Sequence, residues 1–165
     1  MPNSFIADPK LFQALEQRSI PVPCLTGRIL FNQGEAPIGL YLLKAGKASL
    51  IMKTDKGEEV VCLTVGSGSI LGLPAIVGHV PYSLSAMAHG SQVNFIARKD
   101  FEELIQAQPS LYPKVLEVLA AEVRSARLAL SGLIRKLKTG VSESPKNDTL
   151  PDYSRAKSHS NRRYD

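Results

Sequence analysis

A chain of 165 residues has room for one ordinary domain and an appendage, and its 44% hydrophobic fraction is enough to build a core. No apolar run approaches the roughly 20 residues that span a bilayer, and Met1 to Ile6 lacks a basic stretch ahead of an apolar one, so neither a membrane span nor a secretory signal is expected. The net charge of +5 is modest, and the 2 cysteines, Cys24 and Cys62, lie far apart without metal-ligand spacing, which reads as reduced, partly buried thiols in a cytoplasmic protein.

The first element is a short amphipathic helix. Asp8 can cap it, Pro9 suits its first turn, Leu11, Phe12 and Leu15 form its apolar face, and Pro21 and Pro23 stop it. From about Val22 to Ala97 the chain reads as short strands set apart by glycines. Arg28 to Phe31 precedes a turn at Asn32-Gln33-Gly34-Glu35. Gly39 to Ala45 is an apolar strand, Gly46 turns the chain, and Ala48 to Lys53 follows. Asp55-Lys56-Gly57 signals a hairpin, with Val60 to Val65 as the return strand. Ser83 to Ala88 and Gln92 to Ala97 complete the series. Turn signals about every ten residues predict an all-β sandwich or roll.

Two helices are predicted next. Lys99 to Gln108 is short and closed by Pro109; the second runs from about Pro113 to Lys138. On it, Leu116, Leu119, Val123, Ala126, Leu130, Leu133 and Leu137 alternate three and four apart, a heptad seam of the kind that pairs helices. Val115, Val118, Leu128 and Ile134 widen the stripe, so one side can pack on the roll and the other on a partner. A homodimer is expected. Lys114, Arg124, Arg127, Arg135, Lys136 and Lys138 face only Glu117 and Glu122, a basic excess that most simply solvates the helix. The unit therefore spans residues 8–138. Residues 139–165, polar and charged with Pro145 and Pro151, cannot bury enough apolar surface to offset their ordering entropy and read as a disordered tail.

Gly27 to Glu35, then Leu40 to Ala48 with Gly46, then Gly66, Gly72, Ser85 to Ala88 and Arg98 to Phe101 resemble, in order, the cyclic nucleotide-binding domain of the catabolite activator and fumarate–nitrate regulator (Crp/Fnr) family. The resemblance covers roughly residues 8–138. It implies a mainly β fold, a cyclic nucleotide-binding-like β-roll (double-stranded β-helix, or jelly roll) flanked by an N-terminal helix and C-terminal helices. It also implies a phosphate cassette. In the family a glycine precedes a Glu that holds the ribose hydroxyl, and about ten residues on an Arg pairs with the cyclic phosphate, followed by Ser or Thr and then Ala.

Here Gly72 matches the glycine, but Leu73 stands in place of the Glu. Ser85 and Ala86 match the closing pair, but Leu84 stands in place of the Arg. An Arg–phosphate contact is bidentate and charge-assisted, the strongest bond such a site can make. Losing both charged partners weakens cyclic nucleotide binding by roughly two orders of magnitude or more. Binding of cAMP or cGMP is therefore not expected. A degenerate pocket bounded by Gly72, Leu73, Ser83, Leu84, Ser85 and Ala86 either takes another, less anionic small molecule or is filled by its own side chains, with Tyr82 as plug or contact.

Family relatives carry a helix-turn-helix after the long helix. Residues after Lys138 show no pair of amphipathic helices, so sequence-specific DNA binding is not expected. Two cysteines are too few for an iron–sulfur cluster, and His79, His89 and His159 do not share strand positions as metal ligands would. No cofactor or metal is implied, and no nucleophile or phosphate-loop motif points to an enzyme. The expected function is a non-catalytic regulatory module acting as a dimeric signalling or scaffold domain. The alternatives are a ligand-responsive transcriptional regulator of the same family and a true cyclic nucleotide binder.

Overall fold

The computed structural model describes residues 6–140. Helix α1 (Pro9–Glu16) forms as its cap dictates: the Asp8 carboxylate accepts from the backbone N–H of Lys10 at 2.8 Å and of Leu11 at 3.4 Å. Leu11 and Leu15, one turn apart, are fully buried.

Six strands follow: β1 (Ile20–Val22), β2 (Arg28–Phe31), β3 (Gly39–Lys53), β4 (Glu59–Gly66), β5 (Ser69–Leu71) and β6 (Ser85–Ala97). They pair into one antiparallel sheet whose axis is the long ladder of β3 with β6, running from Gly39 opposite Ala97 to Ile51 opposite Ser85. The other edge of β6 takes β1 near one end and β2 near the other, while β3 takes β5 at Tyr41–Leu43 and β4 at Lys47–Lys53. Helix α2 (Leu73–Gly78) leaves β5. After β6 come α3 (Arg98–Ala107), a 3₁₀ turn (Pro109–Leu111) and α4 (Tyr112–Gly140). This is the expected β-roll with flanking helices.

Strand periodicity separates two cores. On β3, Leu40 and Leu42 face the helices and pack with Leu11, Leu15, Ile96 and Phe101, whereas Tyr41 and Leu43 face the interior of the roll with Phe31, Leu71 and Val93. A stretch buried on both faces loses the hydrophobic alternation of a surface strand, and Gly39 to Leu43 does.

The sequence-based expectation differs from the fold at several points. Gly46 does not turn the chain; it is a bulge inside β3, with φ of 86° and the register to β6 shifting on either side of Ala45. Ser83–Ala88 and Gln92–Ala97 are likewise not two strands, since β6 runs through both. His89 accordingly lies in β6, its Nε2 2.7 Å from the Ser49 hydroxyl. Cys24 is half-buried as expected, but Cys62 is exposed; both are free thiols. α4 extends to Gly140, and the tail expected over 139–165 otherwise lies outside the described residues. Among the described residues no helix is long and apolar enough to cross a membrane.

Candidate functional site

The cassette begins where β5 ends. Gly72, at the N-cap of α2, has φ of 88°, a left-handed conformation open to glycine and strained for any other residue. Its missing side chain matters as much as its backbone: a Cβ there would stand 2.9 Å from Cε1 of Tyr82. Tyr82 fills that space. Its ring stacks on Phe31 with centroids 4.1 Å apart, and its hydroxyl donates to the Gly39 carbonyl at 2.7 Å. Its own backbone is tied to the turn after β2, with Tyr82 N donating to Glu35 O at 3.0 Å and Gly34 N donating to Tyr82 O at 2.8 Å. Burial pushes the Tyr82 phenol up, so it stays neutral and hydrogen-bonded.

What remains open beside Tyr82 is a cavity of about 50 Å³, bordered by Gly72, Pro74, Ser83, Leu84 and Glu122. A second cavity of about 200 Å³ adjoins it between the cassette and α4, sharing Pro74, Ser83, Leu84 and Glu122 and adding Leu63, Val123 and Ala126. Among the described residues no Arg or Lys borders either. The nearby acidic side chain Glu35 is already engaged by the side-chain and backbone N–H of Asn32 (2.8 and 3.0 Å), which hold its carboxyl below the ordinary range.

Of the residues assigned from sequence, Gly72, Ser83 and Leu84 meet at the cavities. Leu73 does not: it is fully buried in the helix-side core, with Ile76 and Leu40. Ala86 is buried inside the roll, and the Ser85 hydroxyl accepts from Gln33 N at 2.9 Å. Gln33 in turn clamps the end of β3, its amide donating to Lys53 O at 3.1 Å and accepting from Lys53 N at 2.9 Å. His79 caps the end of α2 with φ of 52° and meets the Arg98 guanidinium.

On α4, Val115 and Val118 are buried against the roll. The seam residues Leu116, Val123, Leu130 and Leu137 are 62%, 68%, 46% and 62% exposed, and Ala126 is exposed beside them, while Leu119 and Leu133 are half-buried. Glu122 is the residue that sequence reasoning passed over. It is partly buried, it borders both cavities, and burial pushes its carboxyl up to about 8. The available signal was its phase, one residue before the seam position Val123.

Residues 22–108 match the family model of the cyclic nucleotide-binding domain. The chain is similar to the cyclic AMP receptor protein of Thermus thermophilus, at 29% identity over 105 residues that make up 63% of this chain and 49% of that protein. It is also similar to the fumarate and nitrate reduction regulatory protein of Vibrio cholerae, at 24% over 115 residues, 70% of this chain and 45% of that one. The chain spans about half the length of these curated relatives. Among solved structures, the Thermus thermophilus catabolite activator protein superposes with a TM-score of 0.64 at 25% identity, covering 76% of this chain and 60% of that one. The roll and the run of matched residues thus agree: this chain belongs to the cyclic nucleotide-binding domain family, with relatives among the catabolite activator and fumarate–nitrate regulators.

Proposed function

We propose that the chain is a non-catalytic regulatory module in which residues 8–138 form one unit, the phosphate cassette no longer serves a cyclic phosphate, and a homodimer through α4 carries the signalling or scaffold role. The observation that carries the cassette reading is Tyr82 seated over Gly72, in a site whose two charged positions are Leu73 and Leu84. Pockets that enclose drug-sized ligands run to roughly 300–1,000 Å³. The cavity of about 50 Å³ beside Tyr82 and the adjoining one of about 200 Å³ both fall below that range. A phosphate placed there would lose its hydration against Leu84 and Pro74 with no cation in return.

Relatives named for cyclic AMP make the true nucleotide binder the second reading. It requires Tyr82 to leave its stack on Phe31 and its bond to Gly39. Isothermal titration with cAMP and cGMP separates the two. No binding tighter than about 100 μM is expected, because neither charged contact exists to supply it. Micromolar affinity for either nucleotide would establish the second reading instead.

A further inference from the structure

We infer that the cavity between α4 and the cassette is completed by a second copy of the chain, whose Arg127 crosses the helix seam to pair with Glu122. The inference rests on the dimeric reading above and adds to it the contact that joins the dimer to the cassette.

Glu122 has a problem its own chain does not solve. Its carboxylate makes no ion pair or hydrogen bond among the described residues, although it is partly buried at the wall of both cavities. The residues one turn away on α4 are Val118, Leu119, Ser125 and Ala126, and those across the larger cavity are Leu63, Pro74, Ser83 and Leu84. None is cationic. A carboxylate partly withdrawn from water without a counter-charge favours its neutral form, which is the direction in which burial shifts Glu122.

The phase of the seam supplies the counter-charge. With Leu116, Val123, Leu130 and Leu137 at heptad positions a, and Leu119, Ala126 and Leu133 at d, Glu122 falls at g and Arg127 at e of the next heptad. In a parallel pair of helices, g on one faces the e that lies five residues on in its partner, and such pairs select partner and orientation. The other g–e sets among the described residues are Val115 with Ala120 and Ala129 with Ile134, which carry no charge. Glu122 and Arg127 of the partner subunit therefore form the charged contact, made twice across a two-fold axis. Arg127 is exposed and makes no ion pair among the described residues. The outer wall of the larger cavity is Val123 and Ala126, both seam positions, so a helix seated on the seam roofs the cavity and brings its guanidinium to the rim. An antiparallel pair would set g against g and e against e, leaving Glu122 and Arg127 apart.

Sedimentation equilibrium on the full chain and its variants, alone and mixed, tests this contact. The native chain is expected to dimerise at micromolar concentration. Arg127→Glu and Glu122→Lys, each alone, place like charges across both flanks and should weaken their homodimers by about tenfold or more. An equimolar mixture of the two variants should recover native affinity, because the mixed dimer pairs Lys with Glu on one flank and Glu with Arg on the other. Should Glu122→Lys fail to fold by circular dichroism, the Arg127→Glu penalty should vanish in a Glu122→Gln background. A native chain that stays monomeric overturns the dimeric reading and this contact with it. A native dimer that Arg127→Glu leaves untouched, or homodimers that mixing does not rescue, overturns this contact and leaves the dimer standing.

Discussion

Tyr82 and Gly72 occupy one space between them, and each constrains the other. Tyr82→Phe keeps the ring on Phe31 but leaves the Gly39 carbonyl without the hydroxyl that donates to it at 2.7 Å. A buried acceptor stranded in this way costs about 1–3 kcal/mol, which chemical denaturation would resolve. Gly72→Ala meets a left-handed backbone and a ring carbon at 2.9 Å, and about 1–3 kcal/mol of destabilisation is expected from the backbone strain alone. Leu73 and Leu84 show how far the sequence could be read. Both positions were recognisable as lacking the family's charged groups, but spacing along the chain does not say which way a side chain turns at the start of a six-residue helix. Leu73 turns into the helix-side core; Leu84, half-buried, borders the cavities. Restoring the charges therefore has unequal consequences. Leu73→Glu should lose about 3–5 kcal/mol by burying an unpaired carboxylate. Leu84→Arg can extend its guanidinium to solvent and should fold with little loss. Equal melting temperatures for the two variants would mean that Leu73 is not core.

Among the elements, the long and strongly periodic ones were legible and the irregular ones were not. The helix α4 and the cap of α1 each rest on several residues that agree. β3 and β6 were read as two strands apiece because a bulge glycine and a turn glycine carry the same mark, a backbone that accepts positive φ. What distinguishes them is the partner strand, and Gly46 has one: a Cβ there would lie 2.7 Å from the Ser91 hydroxyl oxygen on β6. That hydroxyl donates to Lys47 O at 2.6 Å and accepts from Lys47 N at 3.1 Å, closing the gap that the bulge leaves in the ladder. Ser91→Ala removes both partners of Lys47 and should cost about 1–3 kcal/mol in thermal or denaturant unfolding. A loss of only a few tenths would mean that water replaces the hydroxyl. α2 went unrecognised for a different reason: it is six residues long, its N-cap is a glycine with no side chain to bond, and Pro74 sits in its first turn.

For the whole molecule, the matched family region ends at residue 108, and the exposed seam lies beyond it on α4. Large apolar side chains exposed along one face of a helix mark an interface more often than a solvated surface. Ala126 sits midway on that face. Ala126→Glu would set like charges against each other across the two-fold axis of the proposed dimer and should turn a micromolar dimer into a monomer by light scattering.

Acidity offers a subtler reading of the same assembly. In the single chain, Glu122 holds its proton up to about 8, well above the 4.5 of a free glutamate. The folded monomer therefore binds a proton that the unfolded chain has released, and this group's contribution to stability falls as pH rises from about 4.5 to about 8, then levels off. An Arg127 from the partner favours the charged carboxylate, so pairing expels that proton, once for each subunit. Dimer affinity should then rise with pH across the same range. Among the described residues, the other titratable side chain at these cavities is Tyr82, which burial pushes up and whose hydroxyl is committed to Gly39; Glu122's neighbours one turn away on α4 carry no charge. Sedimentation of the native chain near pH 5.5 and near pH 8 should show the tighter dimer at the higher pH. Glu122→Gln should flatten the dependence without abolishing the dimer, because the seam itself remains. A native dimer whose affinity does not change over this range would mean that Glu122 keeps the same surroundings in monomer and dimer, and that no partner cation reaches it.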